Sequence, residues 1–131
     1  MNIKTDTKEK FSILSLLEPA LTENMAGELE QKLRSLLQND TPHLVLNLAG
    51  VESIEEGPAQ VLAGCQQQFY ESDCSFVICC LTPGVEARLD ELELLELLNV
   101  TPTESEAGDI VQMEEIEREI LGEDEEEGPK E

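Results

Sequence analysis

The chain predicts an α/β fold built on a mixed, mainly parallel sheet of four to five strands, packed by about four helices. Three observations carry that expectation. Short apolar runs bounded by Pro and Gly alternate with segments of helical period. Strand-helix-strand alternation places consecutive strands parallel, joined by right-handed crossovers. A length of 131 residues, 40% hydrophobic but only 3% aromatic and without Trp, allows one domain around one aliphatic core.

Taken in order, residues 3–8 read as a polar edge strand and residues 11–17 as an apolar strand closed by Pro19. A short turn joins the two, so they should pair antiparallel. Met25, Leu29, Leu33, Leu36 and Leu37 then recur on one helical face, and Asn39-Asp40-Thr41-Pro42 ends that helix. Leu44-Val45-Leu46-Asn47-Leu48, between Pro42 and Gly50, reads as a buried central strand. Pro58 is placed as the first residue of the second helix, with Val61, Leu62, Cys65 and Phe69 following at helical spacing. Residues 75–81 form a second buried strand. Thr82 caps and Pro83 begins a third helix, with Val85, Leu89 and Leu92 inward. A short strand is expected near Leu98-Asn99-Val100-Thr101. Thr103-x-x-Glu106 is a capping-box pattern, after which Ile110, Met113, Ile116 and Ile120 recur at helical spacing. The order β-β-α-β-α-β-α-β-α fills one domain, residues 1–121. Residues 122–131 hold almost nothing but acid, Gly and Pro, and are expected to form a disordered acidic tail.

A formal net charge of −22 argues against nucleic acid and anionic membrane as partners, since both carry the same sign. It favours a basic protein surface, or serves solubility and tolerance of high salt. No apolar run reaches the roughly 20 residues of a membrane span. The first residues, Met1-Asn2-Ile3-Lys4-Thr5-Asp6, lack the apolar stretch of a signal peptide, so the expected location is the cytoplasm. Cys65, Cys74, Cys79 and Cys80 have no Cys-x-x-Cys spacing, and on a strand the adjacent pair would point to opposite faces. They are expected to be reduced, buried and small hydrophobes.

Residues that carry chemistry are sparse. Gly-x-Gly-x-x-Gly, Gly-x-x-x-x-Gly-Lys and Asp-x-Asp-x-Asp-Gly patterns are all missing, and the single His43 sits at a strand entrance. Glu55 and Glu56 are a conspicuous carboxylate pair, but consecutive residues rarely converge on one small substrate. These features point to no enzyme, no cofactor and no metal.

The stretch Leu46-Asn47-Leu48-Ala49-Gly50-Val51-Glu52-Ser53-Ile54-Glu55-Glu56-Gly57 resembles the signature of STAS domains, the anti-sigma factor antagonist family. That signature is a strand ending in Asp-Leu-Ser, an apolar pair, then Asp-Ser-Ser/Thr-Gly opening a helix. Leu17-Glu18-Pro19-Ala20-Leu21-Thr22 stands where the family has a Gly-x-Leu-Asp turn, and Leu81-Thr82-Pro83-Gly84-Val85 where the fourth strand meets the third helix. The similarity runs over about residues 8–112. It implies a STAS-like sheet and a protein partner, such as an anti-sigma factor or a sensor kinase-like protein. In bacterial members an anti-sigma factor with kinase activity phosphorylates the first Ser of Asp-Ser-Ser, which releases the complex.

Without a gap, Glu55 falls on the Asp, Glu56 on the phosphorylated Ser, Gly57 on the next hydroxyl residue and Pro58 on the Gly. Glu56 offers one negative charge where phosphate brings about −1.5 to −2, and Pro58 lacks an N–H. The turn is therefore expected not to be a phosphorylation switch. Alternatively, Glu55 and Glu56 are first-turn acids favoured by the helix dipole. Ser53 is the nearest hydroxyl but precedes the turn. The expected partner-binding surface is Ser53, Glu55, Glu56, Gly57 and Pro58, continued along the helix by Gln60, Gly64, Gln67 and Gln68. A different reading is an acidic accessory subunit, of stressosome or lipid-transport type, that binds a basic partner through its C-terminal acidic helices and tail.

Overall fold

The computed structural model describes residues 2–8, 10–38 and 43–130, with side chains of the last helix described as far as Glu117. In chain order the elements are β1 (Ile3–Thr7), β2 (Ser12–Leu16), β3 (Ala20–Leu21), α1 (Ala26–Leu36), β4 (Leu44–Asn47), β5 (Ser53–Ile54), α2 (Glu56–Glu71), β6 (Phe76–Cys79), α3 (Pro83–Glu91), β7 (Val100–Thr101) and α4 (Glu104–Lys130). Single 3-10 turns at Glu23–Met25 and Leu95–Leu97 precede α1 and β7. Five strands form a sheet in the order β1-β2-β4-β6-β7. The β1–β2 pair is antiparallel and the remaining pairs are parallel, as the alternation of elements requires.

The central strands are buried on both faces, which is why β4 and β6 read as continuous apolar runs. Alternation divides their side chains between two cores. Leu44, Leu46, Phe76 and Ile78 face α1, α2 and α3, where Leu29, Leu33, Leu62 and Phe69 close the layer. Phe69 stacks on Phe76 with ring centroids 5.0 Å apart. Ile13, Val45, Val77 and Cys79 face the other way, against Phe11 and the Ala107 and Val111 of α4.

Several boundaries differ from the sequence expectation, each for a local reason. The strand predicted over 75–81 stops at Cys79 because Cys80 takes a left-handed conformation (φ 64°). Cys80 therefore packs against the same cluster as Cys79 rather than on the opposite face. Thr82 does stand at the start of α3, but its hydroxyl donates to the Val51 carbonyl (2.7 Å) instead of capping the helix. The Thr103 hydroxyl accepts from the Glu106 N–H at 3.2 Å, the first half of the expected capping box.

Of the apolar spacing expected to face inward on α4, Ile110 does so, half-buried against the second core, and Met113 and Ile116 do not. Ala107, Gly108 and Val111 are buried against the sheet, whereas Met113 and Ile116 are exposed. Space inside is tight at Gly108, where a Cβ would lie 3.0 Å from the Phe11 ring and the ring would have to give by a few tenths of an ångström. Carboxylates complete the attachment: Asn47 Nδ2 donates to Glu104 Oε2 (2.7 Å), Ser75 Oγ donates to Glu114 Oε1 (2.5 Å), and Lys10 pairs with Glu115 at 3.5 Å. Asn39-Asp40-Thr41-Pro42, expected to end α1, lies outside the described residues. The domain limit at 121, Ile120 and the acidic tail at 122–131 fall beyond Glu117, where the description of side chains ends.

Candidate functional site

Two strands of two residues each decide the geometry of the turn. β3 and β5 pair in parallel, Ala20 beside Ser53 and Leu21 beside Ile54, apart from the main sheet. Outside that ladder, the Pro19 carbonyl accepts from the Glu52 and Ser53 N–H groups (2.7 and 3.1 Å) and the Leu21 carbonyl from the Glu55 N–H (2.9 Å). The clasp brings the residues after β3, which start the first helical segment, alongside the residues after β5, which start α2.

At that junction two carboxylates exchange places. The Glu23 N–H donates to Glu55 Oε1 (2.7 Å), and the Gly57 N–H donates to Glu23 Oε2 (2.7 Å). Each acid thus satisfies an otherwise unpaired N–H at the start of the other's helix, where the local dipole also favours negative charge. Glu55 takes the N-cap position of α2 with extended backbone (φ −87°, ψ 169°), yet its own carboxylate serves the Glu23 turn. Gly57 is necessary to the exchange, since a Cβ there would collide with the Glu23 carboxylate.

The predicted site residues divide into groups. Glu55 and Gly57 belong to the exchange. Glu56, the first residue of α2, is exposed, and the carboxylate on the Gly57 N–H is not its own but that of Glu23. Gln60, Gly64 and Gln67 follow at i+4, i+8 and i+11 and are exposed, with Gln67 Nε2 donating to Glu71 Oε2 at 3.2 Å. Ser53 is exposed on β5, and Gln68 is half-buried. Pro58 is the third helical residue rather than the first, and it is buried. It still sits within the first turn, where its missing N–H removes a donor that would otherwise be free.

Sequence reasoning missed Glu23. Its signal was an acid at a helix start, directly after the Leu17–Thr22 segment that stands at the family's turn. Gln66 was missed as well: its Nε2 donates to the Phe76 carbonyl and its Oε1 accepts from the Asn99 N–H (3.0 Å each), tying α2 to β6 and to the entry of β7. His43 is structural, its Nδ1 accepting from the Ser75 N–H at 3.1 Å.

The two buried thiols are poor nucleophiles. All four cysteines are free, with Cys65 and Cys79 buried and Cys74 and Cys80 half-buried. Burial, assisted by the Glu30 charge, pushes the Cys65 thiol up to about 11. Burial and the neighbouring Cys80 raise Cys79 further in the same direction. Among the described residues no group of His, Cys, Asp and Glu is arranged to hold a metal, and no helix is long and apolar enough to cross a membrane.

Fold and site together define a mixed α/β domain whose second helix opens on an exposed acidic turn. The STAS domain family matches residues 2–107, and the chain belongs to that family. Solved structures that share the fold include an anti-sigma factor antagonist from Mycobacterium paratuberculosis, at 19% identity over 85% of this chain and 93% of that one, TM-score 0.74. A serine-to-glutamate variant of RsbS from Moorella thermoacetica aligns at 17% identity over 86% and 96%, TM-score 0.70. A chain from the stressosome, a signal integration and transduction hub, aligns at 15% identity over 83% and 96%, TM-score 0.63.

Proposed function

We propose that this STAS domain is a non-enzymatic regulatory module of the anti-sigma factor antagonist type, and that it binds its protein partner without a phosphorylation switch at the α2 turn. The observation that carries this is the state of the α2 start. The position aligned with the family's acceptor Ser is Glu56, exposed at the first residue of the helix. The Gly57 N–H, one of the donors a phosphate would use there, is already taken by the Glu23 carboxylate at 2.7 Å. Pro58 removes another donor. The turn is thus charged and internally satisfied in its resting state. The contact surface is Ser53, Glu55 and Glu56 with the exposed line Gln60, Gly64 and Gln67 of α2, flanked by Gln68. The partner class is a protein such as an anti-sigma factor or a sensor kinase-like protein, met in the cytoplasm.

The test is partner capture with the native chain beside Glu56→Ser, followed by exposure of both to the captured kinase. The expected outcome is that the native turn, including Ser53, takes no phosphate, while the Ser variant is phosphorylated and then loses the partner. An unchanged set of partners and an unmodified Ser variant overturn this reading.

A second reading, the acidic accessory subunit, is favoured by the distribution of charge. Eighteen of the thirty carboxylates fall in residues 86–131, against three basic residues. Full retention of a basic partner after removal of residues 122–131, with no sensitivity to salt, argues against it.

A further inference from the structure

Four large apolar side chains outside the two cores stand exposed on the last turn of α2, the 3-10 turn before β7, and α4. Tyr70 is 79% exposed, Met113 60%, Leu97 58% and Ile116 54%. Tyr70, in the last turn of α2, stands 14 residues from Glu56, about 21 Å along the helix at 1.5 Å per residue. It walls two adjoining clefts. One, of about 540 Å³, is shared with Ala63, Gln67 and Leu97. The other, of about 270 Å³, is shared with Cys74, Glu114 and Glu117. Glu117 lies one helical turn beyond Met113 on α4, and Ile116 follows Met113 at i+3. The clefts therefore run from Leu97 past Tyr70 to Glu114 and Glu117 of α4, the neighbours in sequence of Met113 and Ile116.

α4 is apolar on two sides. Ala107 and Val111 are spent on the sheet, which leaves Met113 and Ile116 without a function in the fold. Around them acid prevails, although Lys10 pairs with Glu115 and Arg118 follows Glu117 in sequence. Residues 89–117 contain ten carboxylates and no Lys, Arg or His, and α2 adds Glu71 beside Tyr70. A second copy would bring the same carboxylates face to face, so self-association is opposed by charge. An uncharged apolar partner would strip water from the acidic rim without repayment. A partner with apolar anchors and cationic flanks satisfies both parts of the surface.

We infer that the surface formed by Tyr70, Leu97, Met113 and Ile116 docks an amphipathic helix of a partner protein, with aliphatic side chains on one face and Lys or Arg beside them. Aliphatic anchors enter the clefts flanking Tyr70 and cover Met113, in the helix-in-groove mode. The cations meet Glu71 and Glu117, which sets orientation and encounter rate. This surface lies at the far end of α2 from the acidic turn and meets the proposed contact line at Gln67, so one partner can grip the chain at both points.

The test uses the full chain and a helical peptide of about 18 residues, five turns, built from Leu and Lys only, with a Leu and Glu peptide of the same pattern as control. Backbone NMR shifts and calorimetry give the readout. The expected result is saturable one-to-one binding of the Lys peptide alone, with shifts centred on Tyr70, Leu97, Met113 and Ile116. Tyr70→Ala and Met113→Ser should each weaken it by about tenfold or more, as anchor residues do. Leu17→Ser serves as the comparison and should leave affinity unchanged: Leu17 is an exposed leucine just beyond the end of β2, whereas Tyr70 lies before the start of β6. Absence of saturable binding overturns the inference. So does equal affinity across the variants, or binding abolished at about 1 M salt, where charge is screened beyond ~3 Å. A native dimer that Met113→Ser dissolves, seen by sedimentation, overturns it in favour of a second copy.

Discussion

Gly84, the second residue of α3, has no room for a side chain: an added Cβ would stand 2.5 Å from the backbone carbonyl oxygen of Glu52. A backbone atom cannot step aside as a flexible side chain does. The contact matters because Glu52 is clamped from the other side as well, its N–H donating to the Pro19 carbonyl at 2.7 Å. Gly84→Ala must therefore move α3 away from the segment that leads into the acidic turn. The helix-forming advantage of Ala, at most ~1 kcal/mol, is outweighed by an overpacking cost of about 1–3 kcal/mol. The expected outcome is a lower urea midpoint at unchanged m-value; a midpoint equal to or above the native one contradicts the packing described. The sequence showed Gly84 only as part of Thr82-Pro83-Gly84, a helix-start pattern that says nothing of what lies opposite. Glu23 was illegible for the same reason. Its role depends on a residue 32 positions away, Glu55, whose carboxylate it exchanges with its own. What could be read was local: the acids at 55 and 56, and the Pro in the first turn. The partner of each was not local.

At the scale of elements, legibility followed burial. β4 and β6 are covered on both faces, so their apolar runs announced them directly. α1 was equally plain, because Leu29, Leu33 and Leu36 form its only apolar face. β3 and β5, at two residues each, are too short for any period to register, yet they position the site. α4 was legible as a helix but only partly in its orientation: Ile110 packs half-buried beside Ala107, Gly108 and Val111, whereas Met113 and Ile116 are exposed. Asn47 is the residue through which β4 holds the start of α4. The STAS signature has Asp at the end of this strand, and here Asn47 uses both ends of its amide. Its Oδ1 accepts from the Ala49 N–H at 2.8 Å, and its Nδ2 donates to Glu104 at 2.7 Å. Asp at this position keeps the first bond but opposes a second carboxylate to Glu104. Asn47→Asp is expected to cost about 1.5–3 kcal/mol, the scale of a hydrogen bond to a charged group. Glu104→Gln in the same chain should restore most of it, because the amide of Gln can donate to the new carboxylate. Chemical denaturation of the two single variants and the double variant measures the coupling. Additive losses would mean that residue 47 and α4 do not act on each other.

For the molecule as a whole, the largest influence that no single contact reveals is a formal charge of −22 on 131 residues. Compactness holds those carboxylates closer together than the unfolded chain does, so self-repulsion subtracts from stability. The described ion pairs offset little of it. Lys8–Asp6, Arg34–Glu30 and Arg88–Glu91 lie at the surface, where such pairs contribute about 0–1 kcal/mol. The repulsion is also unevenly spread, falling on α3, α4 and the residues after them. Salt should therefore stabilise this protein, and mostly at low ionic strength. Raising it from about 0.01 M to about 0.15 M shortens the screening length from ~30 Å to ~8 Å, which removes most long-range repulsion. Melting temperature is expected to rise by several degrees over that interval, given that ~1 kcal/mol moves a domain of this size by about 4 °C. Beyond it the curve should flatten, because the remaining pairs lie closer than the screening length. Sodium chloride and potassium chloride should act alike if screening is the cause. A melting temperature that is flat or falling across the low-salt range would mean that the carboxylates are compensated one by one within the fold. The acidic surface would then carry no standing cost, and a cationic partner would gain nothing by relieving it.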